Sequence, residues 1–298
     1  MNFLWTKIEW HGEAAAEITG ASVKTGSLVL PSEAGGLPVR VVRKGAFAGW
    51  EGLREAELPD TVREIGDFAF QDCRNLRCLK FSCFTQEIGG GVLRGCTGFS
   101  LIELGGFADR PELFYPFRGL CGILSDSDAA FSALLHFPDG DARLYFPDRV
   151  NDFDEDTMAR AIHPRIEGCG YPYRECVSRG RIDFRGYDIL FPRAELDGLA
   201  TASEAAFARL QYPYRLLDRM REMYRAFFRE HAEEIVPRLV HAGDAARLSF
   251  LARERLLSPA AVDAGLKPAS EAGRADLCGI LMDCAGKRGP SGAVQFEL

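Results

Sequence analysis

The first third of the chain repeats with a period of 23 residues, and this period limits what the chain can fold into. Ala46–Phe47 recurs as Ala69–Phe70. Further pairs at the same offset are Leu53 with Leu76, Ala56 with Leu79, Leu58 with Phe81, Ile65 with Ile88, Cys73 with Cys96, Leu76 with Phe99 and Leu79 with Ile102. A unit this short cannot bury its own apolar face, so successive units must stack and place one residue type in one core position.

The pattern within each 23-residue repeat predicts a short strand followed by a tight turn. Leu53–Leu58 carries apolar residues at spacings that point into the core of a short strand. Ala69–Phe70 then begins a short helical or 3₁₀ turn. Stacking places Cys73 above Cys96, which predicts that both thiols pack in the interior.

Residues 45–73 resemble the BspA-type leucine-rich repeat of bacterial proteins, Ala-Phe-x-x-Cys-x-x-Leu-x-x-Ile-x-Leu-Pro-x-x-Val-x-x-Ile-Gly. The segment from Ile18 to Val39 resembles the opening repeat of that family, and the likeness covers residues 15–105. It weakens in the third unit, where Gly89–Leu93 replaces the expected pattern. The resemblance implies a binding scaffold rather than a catalyst, and family members are often surface proteins that bind other proteins.

The resemblance also implies that the exposed strand positions form one binding face for a protein partner. The candidate residues are Glu55, Glu57, Cys78, Lys80, Leu101 and Glu103. The alternative is that these are simply solvated strand residues, because three short coils offer less surface than a standard protein interface.

The middle segment, residues 111–198, has no repeat. Ser132–Phe137 and Ala142–Phe146 predict a β-hairpin, because Asp139–Gly140 between them is a turn signal. Asn151–Ala161 predicts a helix with acidic residues in its first turn. Gly168–Cys176 predicts an irregular loop.

That loop contributes three further candidate residues, Tyr171, Tyr173 and Arg174. If exposed, they are of the types that dominate the binding energy of protein interfaces. If buried, the two tyrosines anchor the loop onto the core. Both alternatives stay open at the level of sequence.

Residues 201–285 are helical by their apolar period, with a break near Pro213. Gly243 and Gly273 each follow an alanine and lie 30 residues apart, which predicts two helix–turn–helix units. This arrangement resembles an ankyrin-like pair, although the Thr-Pro-Leu-His signature is missing. A plain helical bundle is the alternative.

The expected fold class is therefore α+β. A short leucine-rich-repeat solenoid of strands with 3₁₀ or short helices precedes a mixed β and irregular segment and an all-α helical-repeat domain. The predicted boundaries are 1–110, 111–198 and 199–289, with a flexible tail at 290–298.

The middle segment also holds the residues on which a metal site could be based. Asp152, Asp154 and Asp156 are spaced like the start of a calcium loop, but Thr157 stands where glycine is needed, so a helix N-terminal acidic cluster explains them better. His163, Cys169 and Cys176 lack the close Cys-x₂₋₄-Cys spacing and the fourth ligand of structural zinc. We therefore expect no metal and no cofactor.

A non-enzymatic interaction protein is the first functional hypothesis. The alternative is an enzyme, a hydrolase or a thiol-dependent one, with His163, Cys176 or the pair Asp183 and Asp188 at its site. It would require a pocket in the middle segment and a cysteine of lowered pKa.

Composition restricts the kind of partner. The chain has 36 Lys and Arg against 43 Asp and Glu, a net charge of −7, which disfavours nucleic acid as a partner. No apolar stretch approaches the roughly 18 residues of a membrane span. Lys7 and Glu9 interrupt the apolar N-terminal segment, so we expect no signal peptide and a cytoplasmic location with reduced cysteines. The family resemblance makes a surface location the alternative.

Overall fold

The computed structural model describes residues 3–107, 115–156 and 161–286, without the side chains of 150–156, 161–167 and 285–286. The chain divides into two compact units. The first comprises Met1–Gly198 with Tyr212–Arg215, and the second comprises Leu199–Gln211 with Leu216–Leu298. The predicted tail, residues 290–298, lies outside the described residues.

The first unit contains both strands and helices. Its strands are β1 Phe3–Trp10, β2 Glu13–Ala21, β3 Ser27–Val29, β4 Glu33–Ala34, β5 Leu37–Val42, β6 Glu55–Glu57, β7 Glu64–Ile65, β8 Cys78–Ser82, β9 Glu87–Ile88, β10 Leu101–Gly105, β11 Phe131–Phe137, β12 Gly140–Phe146, β13 Val150–Asp156 and β14 Ala161–Glu167. Its helices are α1 Arg118–Asp126, α2 Gly170–Glu175, α3 Phe184–Ile189 and α4 Phe191–Asp197.

Most of these strands form two sheets. The first sheet has the order β1-β2-β5-β7-β9, with β4 paired to β5, and the second has the order β12-β11-β10-β8-β6-β3. The repeat strands pair in parallel, and the register puts Ala56 beside Leu79 and Leu79 beside Ile102. All three are fully buried, so the 23-residue offset of the sequence is also the register of the sheet.

The turns between strands stack in the same register. The Phe47 and Phe70 rings stack with their centroids 5.4 Å apart. The Cys73 thiol donates to the Phe47 carbonyl oxygen at 3.2 Å, and the Cys96 thiol donates to that of Phe70 at 3.1 Å. Both cysteines are buried, which confirms the predicted packing role.

The predicted hairpin is confirmed as β11 and β12, which pair antiparallel around Asp139–Gly140. The sequence did not predict its location in the sheet. β11 pairs in parallel with β10, with Leu101 opposite Ser132, so the hairpin continues the second sheet beyond the repeats.

The helix predicted over Asn151–Ala161 is wrong. Residues 150–156 form β13, which pairs antiparallel with β14, and residues 157–160 lie outside the described part of the chain. The acidic residues suggested a first helical turn, but the register places Asp152 opposite Arg165 and Asp154 opposite His163. Pairing with β14, which follows later in the chain, therefore makes this segment a strand.

The predicted irregular loop at Gly168–Cys176 is also wrong in part, because Gly170–Glu175 forms α2. Pro172 lies in the first turn of this helix, where backbone N–H groups have no partner within the helix. A proline there therefore removes no helical hydrogen bond.

The second unit contains α5 Leu199–Gln211, α6 Asp218–Ala242, α7 Ala245–Arg253, α8 Pro259–Glu271 and α9 Ala275–Gly286. The chain leaves the helical conformation around Pro213, as predicted. Gly243 and Gly273 adopt φ of 68° and 66°, the left-handed conformation that ends a helix. Both helix–glycine–helix units are confirmed, and the ankyrin-like character stays a prediction. No helix among the described residues has the length and apolar character to cross a membrane.

Candidate functional site

The outer side of the second sheet carries the candidate residues from the repeats. Along each strand, alternate residues are fully buried: Leu28, Ala56, Leu79, Ile102, Ala133 and Leu144. The residues between them therefore point outward. They form two rows across six strands, the first Ser27, Glu55, Cys78, Leu101, Ser132 and Tyr145, the second Val29, Glu57, Lys80, Glu103, Leu134 and Arg143. We call these two rows the sheet face.

The structure brings together all the candidates from the repeats on this face. Glu55 and Glu57 are exposed, whereas Lys80 and Glu103 are half-buried. Cys78 is only 6% exposed, so it contributes to the floor of the face rather than to its outer contacts.

A small polar network occupies the middle of the face, around the Glu103 carboxylate. Lys80 Nζ lies 3.1 Å from Glu103 Oε2. This bond raises the pKa of Lys80. The Cys78 thiol lies 3.8 Å from Glu103 Oε1. His136 Nε2 lies 4.0 Å from Glu103 Oε2, and its Nδ1 is 3.0 Å from Asp141 Oδ1.

The outer strands of the face, β11 and β12, were not predicted from the sequence to belong to it. His136, Leu134 and Arg143 come from the hairpin, which has no part in the 23-residue period. The alternation of β11 and β12 was visible in the sequence, but their parallel pairing to β10 was not. The hairpin therefore extends the face beyond the three coils on which the expected size rested.

A shallow depression of about 320 Å³ lies on the face. Its lining includes Glu57, Asp60, Lys80, Glu103 and His136. Charged, open walls of this kind suit a side chain of a protein partner better than an enclosed small molecule, whose pockets are mostly apolar.

The three candidates from residues 168–176 differ in how much of each side chain is exposed to solvent. Tyr171 is 39% exposed, whereas Tyr173 is fully buried and Arg174 is 6% exposed. The Tyr173 ring packs edge-on against Tyr187, with centroids 4.6 Å apart. The Arg174 guanidinium donates to the backbone carbonyl oxygens of Ser127, Ala129, Pro147 and Gly170. Tyr173 and Arg174 are therefore buried and anchor this segment to the core. Of the three candidates, only Tyr171 reaches the surface.

The geometry gives no support to a thiol-dependent enzyme. Burial raises the pKa of Cys176 to about 11, whereas a nucleophilic thiol needs a lowered one. The Cys176 thiol instead lies 3.5 Å from the Pro172 carbonyl oxygen. Asp183 accepts a hydrogen bond from the Gly186 amide at 2.8 Å and so caps α3. The His163 side chain lies outside the described residues.

The residues considered as metal ligands are not brought together in the part of the chain whose side chains are described. The side chains of Asp152, Asp154 and Asp156 lie outside the described part of the chain. Where side chains are described, no group of three or more His, Cys, Asp or Glu residues is placed to hold a metal ion. Burial raises the pKa of the Cys169 thiol well above its usual range.

The buried thiols lead to a prediction about pH. Burial raises the pKa of both Cys78 and Cys96 to about 12. In the unfolded chain these thiols ionise near pH 9, so unfolding above that pH releases protons. Their contribution to stability is complete below about pH 9 and is lost as the pH rises toward 12. We expect the free energy of unfolding to be lower at about pH 10 than at about pH 8 in urea titrations.

The control for this prediction is Cys96→Ala, which removes one titrating thiol. It lowers stability at both pH values, because a buried side chain is lost, but the decline between them becomes shallower. An unchanged decline would contradict a role for buried thiols in the pH dependence.

Comparison with known proteins supports the repeat assignment. Residues 27–107 match the family model of the BspA type leucine rich repeat region, in six copies. No curated protein matches the chain.

Three solved bacterial structures are similar to about a third of the chain. A leucine rich repeat protein of T. pallidum is 28% identical over 35% of this chain and 52% of its own length, with a TM-score of 0.31. A leucine rich cell surface protein of Faecalibacterium prausnitzii is 22% identical over 35% of this chain and 31% of its own, with a TM-score of 0.28. A leucine-rich repeat protein of Bacteroides ovatus is 22% identical over 34% and 33%, with a TM-score of 0.26.

Proposed function

We propose, on the premise that residues 27–107 are BspA-type leucine-rich repeats, that this chain is a non-enzymatic protein-interaction protein. Its docking surface is the sheet face. The observation that carries the proposal is the pair of outward rows, which run in continuous register over six strands from β3 to β12. Side chains that paired strands present at regular spacing suit recognition of another protein.

The chemistry of the face specifies the kind of partner. The two exposed carboxylates of β6, Glu55 and Glu57, favour a partner that presents Lys or Arg. Val29 is 56% exposed and begins the second row, and the half-buried Leu134 is the fifth of its six positions, so apolar side chains of the partner can pack at these two places. The partner is therefore a protein segment that presents both cationic and apolar residues.

The wider architecture forms part of this proposal. The repeats form a short solenoid, with domain boundaries near residues 110, 198 and 289. The helical second unit is an ankyrin-like repeat pair. The cytoplasm is its proposed location, because all nine cysteines are free thiols, which suits a reducing compartment.

A charge reversal on the face tests the proposal. We expect the double variant Glu55→Lys, Glu57→Lys to bind the partner at least about tenfold more weakly than wild type, because two attractive contacts become repulsive. The measurement is a pull-down from a bacterial lysate with quantitative mass spectrometry, followed by titration of the retained protein against both baits.

The matched control is Glu230→Lys, Glu233→Lys, which makes the same charge change at two exposed positions of α6. A protein retained by wild type and by this control but lost from the face variant supports the proposal. A protein retained equally by all three baits would place binding elsewhere, and retention of none by wild type would leave the scaffold function without a partner.

A further inference from the structure

The first sheet ends at a strand whose outer edge is unpaired among the described residues. In the first sheet, β1 is the terminal strand and pairs with β2, which in turn pairs with β5. The second sheet has β3 as one of its terminal strands. β1 is eight residues long, longer than any repeat strand, and most of its side chains are exposed. A long edge strand with exposed side chains is a template for pairing with another strand.

The turn that follows β1 fixes which backbone groups point outward. His11 and Gly12 have φ of 49° and 84°, the two positive values of a type I′ hairpin turn. In such a hairpin the closing pair, Trp10 and Glu13, is hydrogen-bonded. Hydrogen-bonded pairs alternate along the ladder, so Ile8 also bonds to β2 while Lys7 and Glu9 direct their N–H and C=O groups to the free edge.

Those two residues carry opposite charges and are both exposed. When two copies of β1 pair antiparallel about an axis through Ile8, Lys7 of each copy faces Glu9 of the other. Both pairs are hydrogen-bonded positions, since their backbone groups point outward in each copy. Axes through Lys7 or through Glu9 instead bring like charges together, which destabilises a sheet.

We infer that β1 is a self-association edge, and that its partner is β1 of a second copy of this chain in antiparallel register about Ile8. The arrangement makes the first sheet continuous across the dimer. A lysine on an edge strand ordinarily blocks edge pairing, but here the Glu9 carboxylate of the second copy meets it. The self-complementary Lys7 and Glu9 pattern is the observation that selects a second copy over an unrelated strand.

Charge reversal at these two positions tests the inference. We expect wild type to show a mass of twice the 32.9 kDa chain in sedimentation equilibrium at sub-millimolar concentration. Lys7→Glu places two carboxylates opposite each other, and Glu9→Lys places two amines, so each single variant should weaken the dimer at least about tenfold. The double variant Lys7→Glu, Glu9→Lys restores opposite charges and should dimerise like wild type.

A mixture of the two single variants gives the sharpest result. Their strands are complementary to each other, so the mixture should form a heterodimer at concentrations where each variant alone stays largely monomeric. Circular dichroism of each variant checks that the fold is intact, which surface substitutions at exposed positions preserve. Hydrogen exchange should show slower Lys7 and Glu9 amides as concentration rises.

Three outcomes would overturn the inference. One is a wild type that stays monomeric up to sub-millimolar concentration. Another is a dimer whose affinity is unchanged by either single reversal, which would place the contact elsewhere. The third is a failure of the mixed variants to associate when wild type does, which would remove the register about Ile8.

Discussion

We expect Phe70→Ala to lower the free energy of unfolding of the first unit by about 3–5 kcal/mol. Phe70 is fully buried, with 0% of its surface accessible to solvent. Its ring stacks on Phe47 of the preceding 23-residue repeat, and its carbonyl oxygen accepts a hydrogen bond from the Cys96 thiol of the next repeat. The cavity left by alanine therefore lies between stacked repeats, where no single repeat can collapse to fill it.

Tryptophan fluorescence measures this effect in the first unit alone, because all three tryptophans, Trp5, Trp10 and Trp50, lie in it. Leu251→Ala, a buried position of the second unit, should leave the fluorescence transition in place. Leu196→Ala, at an 88% exposed position, controls for loss of an apolar side chain without burial. A Phe70→Ala transition at the wild-type urea concentration would contradict stacking as the source of stability.

We expect Arg174→Met to lower the free energy of unfolding of the first unit by about 3 kcal/mol or more. The buried guanidinium serves four backbone carbonyl oxygens that come from separate parts of the middle segment. Methionine fills a similar volume but donates no hydrogen bond, so all four oxygens lose a partner. Each buried oxygen without a partner costs about 1–3 kcal/mol, offset in part by removing a buried charge.

Arg174→Lys separates the two contributions. Lysine keeps the positive charge but lacks the planar fork that reaches several oxygens at once, so we expect a smaller loss than with methionine. Fluorescence-detected urea unfolding of the three proteins measures both. If the Arg174→Met variant were as stable as wild type, the guanidinium would not hold the middle segment together.

The sequence predicted best where one residue type recurs in one position. The offset from Ala56 to Leu79 to Ile102 became the register of the second sheet, and Cys73 and Cys96 packed as the repeat required. The helix–glycine–helix units at Gly243 and Gly273 were visible for a similar reason, because a left-handed helix end strongly favours glycine.

Prediction failed where structure depends on partners distant in sequence. The acids of residues 150–156 carried the same local signal as a helix start, and only pairing with β14 made them a strand. The hairpin was recognised from Asp139–Gly140, but its parallel contact with β10 has no local signal. As a result Leu134, His136 and Arg143 were missing from the predicted face.

Burial decides which of the three candidates from residues 168–176 can contact a partner. Tyr171, Tyr173 and Arg174 are interface residue types, yet the same large side chains also fill cores. In α2, a short helix that the sequence did not predict, Tyr173 and Arg174 point inward and Tyr171 stays exposed. Residue type alone could not separate these roles.

Site-specific photo-crosslinking tests the central claim, that the sheet face docks a protein, most directly. A photoreactive phenylalanine analogue replaces Val29, an exposed residue of the face, or Leu196, an exposed residue of α4. After irradiation in a bacterial lysate, we predict one crosslinked protein from position 29, absent from position 196 and lost with Glu55→Lys, Glu57→Lys. A crosslinked protein from position 196 alone, or one unaffected by the charge reversal, would contradict the account.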